Sequence, residues 1–215
     1  MLQLVETRDT ILGASLESLG EIVVRLHPTT AACHAVYADI LKSIGKRRKA
    51  IDEYRQALTI SQRPFSVWEQ LFFCLEGEED WSGLKESCGA SLDYFPNQTL
   101  PYIFLALAQI HTAEMEKATQ NLDEATLIAA GNPDLESRIQ CVLGIQAYYQ
   151  KKLPSALQYA DESLRLSQGS NAMAWELKGD VLKSQGKLTE AAACFSKSLE
   201  LDDSRLSPFQ KLNQK

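Results

Sequence analysis

AMAWELKGDVLKSQGKLTEAAACFSKSLELDDS, Ala172 to Ser204, decides how the rest of this chain is read. Apolar residues recur at three- and four-residue steps on either side of Gly186, the spacing of two amphipathic helices. Gly186 takes the left-handed conformation that ends a helix at low cost. Gly179 and Ala191 are small enough to let the two helices meet closely, and Trp175, Phe195 and Leu199 are large enough to fill the space beyond them. Nothing in the stretch is chemically reactive. It reads as a helical hairpin built to pack.

The same pattern recurs upstream. Ser137 starts a stretch with Leu143, Gly144, Leu153, Ala156 and Leu164 at matching offsets, and Thr99 one with Tyr102, Leu105, Ala106, Ala118, Leu122 and Ala125. From Phe65 come Trp68, Leu71, Leu75, Leu92 and Pro96; from Ala31 come Tyr37, Ala38, Leu41, Gly45, Ala50, Tyr54 and Ala57. The starts at 31, 65, 99, 137 and 172 are 34, 34, 38 and 35 residues apart. One such unit cannot bury its apolar face, so stacking supplies the core. This period, with its large–small–aromatic order, resembles the tetratricopeptide repeat family. The resemblance implies an all-α, right-handed superhelix (solenoid) of antiparallel helix pairs, with repeats at 31–64, 65–98, 99–136, 137–171 and 172–205 in a single domain. Residues 1–30 read as a degenerate N-terminal part, with Ala14 to Pro28 as the second helix of an incomplete repeat after a short helix. Residues 206–215 read as a partial capping helix. The pairing of WEQL with FPNQ is similar to long bacterial members.

Two departures carry structural expectations. The close-packing pair of the second repeat is Phe72 and Leu84, where small residues are usual, and two bulky groups spread a hairpin. The third repeat has no Gly at its turn, IHTAEMEK, and the extra residues PDLE follow it; Pro133 and Asp134 predict a helix start after a longer loop.

Composition excludes several classes. The 215 residues carry 22 Lys and Arg against 28 Asp and Glu, a net charge of −6 that disfavours nucleic acid. The basic run GKRRKA, Gly45 to Ala50, reads as a solvated turn. No 18-residue apolar run predicts a membrane span, and the opening MLQLVETRDTILG lacks the pattern of a signal peptide. Five widely spaced cysteines without a CxxC predict neither a disulfide framework nor zinc, and point to a reducing, cytoplasmic setting. Three histidines and no nucleophile, metal or phosphate motif predict a non-enzyme without cofactor; His34, in the large-residue place of its repeat, reads as core.

The functional expectation comes from the resemblance, in which the first helix of each repeat lines a concave peptide-binding groove. At the matching positions stand Glu69 and Phe73, then Leu100, Ile103, Leu107, Ile110 and His111. The fourth repeat places Cys141, Ile145, Tyr148 and Tyr149 there, and the fifth Met173, Glu176 and Asp180. The floor is apolar and aromatic and the rims acidic, which suits a peptide or helix with basic edges. It shows no Asn and only scattered cations, unlike the Lys, Asn and Arg of a carboxylate clamp. Three other uses stay open: coverage by the protein's own N- or C-terminal segment, a homo-oligomer contact, and a small-molecule pocket. The chain is expected to be an interaction scaffold or, alternatively, a structural segment of a larger multi-repeat protein without its own ligand.

Overall fold

The computed structural model describes residues 2–202, 208, 210 and 211, with side chains from Leu12 onward. Among them lie eleven helices: α1 (Leu2–Leu26), α2 (Ala31–Ser43), α3 (Arg47–Ile60), α4 (Phe65–Gly77), α5 (Trp81–Leu92), α6 (Thr99–His111), α7 (Met115–Ala129), α8 (Pro133–Tyr149), α9 (Leu153–Leu166), α10 (Ala172–Ser184) and α11 (Leu188–Leu201). No described helix is long and apolar enough to cross a membrane. The chain divides into two compact units, residues 1–80 and 81–215, rather than one. Phe72 and Leu84, expected to spread the second hairpin, fall on either side of this division, and each is fully buried.

In the first unit α2 pairs with α3, and Ala38 and Ala50 are fully buried as the close-packing residues. The basic run lies at the start of α3. Its charges are spent on neighbouring helices: Lys46 and Lys49 pair with Glu17 of α1, and Arg48 bonds Glu78 at 2.8 Å while Arg47 donates to the Gly77 carbonyl at 3.2 Å. The Lys46, Lys49 and Arg48 ends of these pairs remain partly solvated, where ion pairs add little to stability. Residues 2–26 form one continuous helix, not the short helix and second helix expected. No proline interrupts the chain before Pro28, and Gly13, a weak point for a helix, packs 3.4 Å (from its would-be Cβ) against Ile44.

In the second unit α6–α7, α8–α9 and α10–α11 are hairpins, and the first helices touch in order, α6 with α8 and α8 with α10. Gly179 meets the Phe195 ring so closely that a Cβ would stand 2.4 Å from it. A buried polar knot ties α8 to α9: the Ser137 hydroxyl donates to the Ser163 carbonyl at 2.9 Å, the Ser163 hydroxyl returns one to the Ser137 carbonyl at 2.7 Å, and the Asn171 amide bonds both hydroxyls at 3.1 Å. The PDLE segment does not lengthen a loop. It is the first turn of α8, reached through three residues, 130–132, after an α7 that runs to Ala129. Asn132 caps it, its side chain accepting from the Asp134 and Leu135 amides at 3.2 Å, with Pro133 in the first turn where its missing N–H costs nothing. The fourth helix pair therefore starts at 133, not 137. Of the expected capping helix at 206–215, Pro208, Gln210 and Lys211 are helical and the remainder lies outside the described residues.

Two devices repeat through the array. Each hairpin turn has one left-handed residue, Gly45 (φ 76°), Glu79 (56°), Ala113 (62°), Lys151 (62°) and Gly186 (78°), spaced as the repeats are. The following amide always reaches back to a carbonyl five residues earlier: Lys46 to Leu41, Asp80 to Leu75, Glu114 to Gln109, Lys152 to Ala147 and Lys187 to Leu182, at 2.7–3.0 Å. This is the Schellman closure that satisfies the carbonyls a helix end leaves open. It forms with or without glycine. The second device is a side-chain donor at the fourth residue of the repeat, bonded to the carbonyl six residues before it: Trp68 Nε1 to Gln62 (2.9 Å), Tyr102 hydroxyl to Pro96 (3.0 Å) and Trp175 Nε1 to Gly169 (2.9 Å). His34 Nε2 lies 3.0 Å from the Pro28 carbonyl in the same way, so a buried histidine fills the place tryptophan holds elsewhere.

Candidate partner-binding site

The groove positions fall into three groups once placed in the fold. The first is buried. Ile103, Leu107 and Ile110 on α6 and Cys141 on α8 are 1–3% exposed. They do not form the accessible floor expected of them, because neighbouring first helices touch and such side chains pack between elements. Ile145 and Met173 are half-buried and close over the core around Cys141, Leu164 and Ala174. Leu100 on α6 is also half-buried. In the first unit Glu69 and Phe73 lie half-buried on α4.

The second group is the acidic rim of the last repeat. Glu176 is buried and Asp180 mostly so, and both carboxylates hold Lys211, at 2.7 and 2.6 Å. The Lys211 ammonium also lies 5.7 Å from the centre of the Phe195 ring. Burial works against the Lys211 charge, and the two carboxylates more than offset it, raising its pKa. Burial raises the Asp180 pKa against the pull of Lys211. The acid at this end is thus answered by the chain's own C-terminal segment rather than left facing solvent.

The third group is aromatic. His111, the last residue of α6, stacks on Trp81 with ring centres 3.8 Å apart and planes 7° apart. The Tyr149 ring meets His111 edge-on at 5.3 Å, its hydroxyl 3.0 Å from His111 Nδ1. Tyr148 meets Tyr149 at 6.2 Å and 90°, bonds Ser184 at 3.2 Å, and carries the Lys151 ammonium 5.8 Å from its ring centre. His111, Tyr149 and Ser184 each end the first helix of a successive hairpin, so side-by-side helices line them up. Burial lowers the His111 pKa to about 4, with Glu176 opposing and Lys211 adding, so the ring is neutral at pH 7. Tyr149 is the exposed member, at 45%.

Sequence reasoning placed His111, Tyr148 and Tyr149 together and missed Trp81. Trp81 opens a second helix, outside the first-helix positions expected to line the groove. The signal available was its place directly after an inter-helix turn, where a large aromatic reaches the neighbouring repeat.

The row offers ring faces and edges, and no reactive group. All five cysteines are free thiols, and burial raises the pKa of Cys74 to about 11, of Cys88 well above the usual range, and of Cys194, so these stay protonated and unreactive. Among the described residues no His, Cys, Asp or Glu group is placed to hold a metal ion.

A tetratricopeptide repeat family model matches residues 31–64 and 172–205, the first and fifth units. No curated protein matches the chain in sequence. Among solved structures, the APC/C hetero-tetramer Cut9–Hcn1 matches at 15% identity over 93% of this chain with a TM-score of 0.69; the chain spans 39% of that protein's length. A tetratricopeptide repeat protein from Parabacteroides merdae matches at 13% identity over 97% of this chain and 95% of that one (TM-score 0.62). TTC0263, a thermophilic protein of this kind from Thermus thermophilus, matches at 16% over 86% and 100% (TM-score 0.65). These likenesses bear on the fold, which is the all-α superhelical class of antiparallel helix pairs.

Proposed function

Since the chain belongs to the tetratricopeptide repeat family, we propose that it is a non-catalytic protein–protein interaction scaffold that engages a peptide or helix through the aromatic row of its second unit. The observation that carries this reading is the row itself. Trp81, His111, Tyr149 and Tyr148 are locked by stacking and hydrogen bonds, so little side-chain entropy is lost when a partner docks. Rigid aromatic anchors of this kind dominate interface energies. The buried isoleucines and leucine of α6 support the row from behind and do not touch the partner.

Affinity capture with wild type and a Tyr148→Ala/Tyr149→Ala variant, followed by identification of the bound proteins, tests it. Partners lost from a variant whose circular dichroism is unchanged support the reading; the same partners retained at the same yield overturn it. Ile103→Glu is the wrong probe, because a charge at that buried site unfolds the helix packing. A second reading, a structural segment of a larger multi-repeat protein, is supported by the occupied acidic rim at Glu176 and Asp180; it predicts that the double variant binds as wild type does.

A further inference from the structure

Helix α1 has two apolar-compatible faces and uses one. The inner face packs on the first repeat through Gly13, Glu17, Gly20 and Val24. A Cβ on Gly20 would lie 2.1 Å from the Tyr37 ring, and Glu17 holds Lys46 and Lys49. Val24 lines a cleft with Tyr37 and Leu41. These contacts fix the rotation of α1 about its axis.

One residue out of phase runs a second stripe, Leu12, Leu16, Leu19, Val23 and Leu26, at alternating steps of four and three. That is the heptad seam of a helix that pairs with another helix. Leu12, Leu19 and Leu26 are 59%, 58% and 68% exposed, and Val23 and the adjacent Ile22 are also exposed. Val5 and Leu2 stand at the same heptad places upstream, with Asp9 interrupting the series between Val5 and Leu12.

We infer that this stripe is a homodimer interface, in which α1 pairs with α1 of a second copy about a two-fold axis. A stripe at constant heptad steps is complementary to itself when reversed, which is the requirement of a two-fold contact. The size fits. The five exposed residues present on the order of 500 Å², near the top of what a monomer leaves uncovered. Two copies would remove about 1,000 Å², where specific interfaces begin. Ser15 and Ser18, which flank the stripe on one side, are small and uncharged. This surface belongs to the first unit and is independent of the aromatic row.

Sedimentation equilibrium of the full chain across the micromolar range is the test, on wild type, Leu19→Glu, and Leu127→Glu as a control on the exposed face of α7. Wild type and Leu127→Glu are expected at twice the chain mass, and Leu19→Glu at the chain mass with unchanged circular dichroism. A wild type that stays monomeric, an assembly of any other size, or a dimer that Leu19→Glu leaves intact overturns the inference.

Discussion

Gly186 and Ala113 occupy the same place in two hairpins of the second unit, both left-handed, at φ 78° and 62°. Exchanging their residue types should move stability in opposite directions. At Gly186 an added Cβ meets nothing within 4 Å, so Gly186→Ala costs only the backbone term. A left-handed L-residue costs about 1–2 kcal/mol, and the stiffer unfolded chain returns about 0.4–1 kcal/mol. The net is a loss of roughly 1 kcal/mol. Ala113→Gly runs the same sum backwards and gains roughly 1 kcal/mol, because the Schellman bond from the Glu114 amide to the Gln109 carbonyl (2.7 Å) involves no Ala113 side chain. Lys151→Gly should gain less than Ala113→Gly, since it also removes the ammonium over Tyr148, a contact worth about 0.5–1 kcal/mol. Urea unfolding followed by circular dichroism measures all three, read as a shift of midpoint at constant slope. Gly186→Ala at or above wild-type stability, or Ala113→Gly below it, would refute the claim that one strained residue per turn is a shared cost of this array.

Gly144→Ala places a Cβ 2.6 Å from Leu177 Cδ2, 3.0 Å from Tyr159 Cβ and 3.3 Å from the Ala156 carbonyl; two of those neighbours cannot swing away, so a loss of about 1–3 kcal/mol is expected in a urea titration. His111 titrates near 4 in the fold against 6.5 free. The unfolded chain therefore binds the extra proton first, and stability present above pH 6.5 is lost as pH falls toward 4, by at most about 3 kcal/mol. His111→Gln should flatten the pH dependence of unfolding in that window; an unchanged profile would dismiss the buried neutral ring. Removing Lys211 takes away the ammonium that Glu176 and Asp180 both hold. Lys211→Ala should lower the thermal midpoint, and adding Glu176→Gln should recover part of it; a midpoint indifferent to both changes would show the contact to be marginal.

The helix pairs, their order and most of their packing residues were legible in the sequence because they are local and periodic. Gly179 against Phe195, Ala38 against Ala50, and the large residue at the fourth place of four of the five repeats follow from spacing alone. The turns at Ala113 and Lys151 were less legible, since a backbone hydrogen bond holds their shape and any residue can be forced into it. The site was harder still. A groove position is defined by which way a side chain points, and whether Ile103 or Cys141 meets solvent depends on how closely the next first helix stands, a distance no residue of its own repeat encodes. The same holds for Lys211, which finds Glu176 and Asp180 from more than 30 residues away, and for Trp81, which reaches His111 from another repeat. Spacing along the chain determined that helices pair and stack; only the tertiary approach of neighbouring helices decided which apolar residues became core and which aromatic ones stayed at the surface, because burial belongs to pairs of elements and not to one.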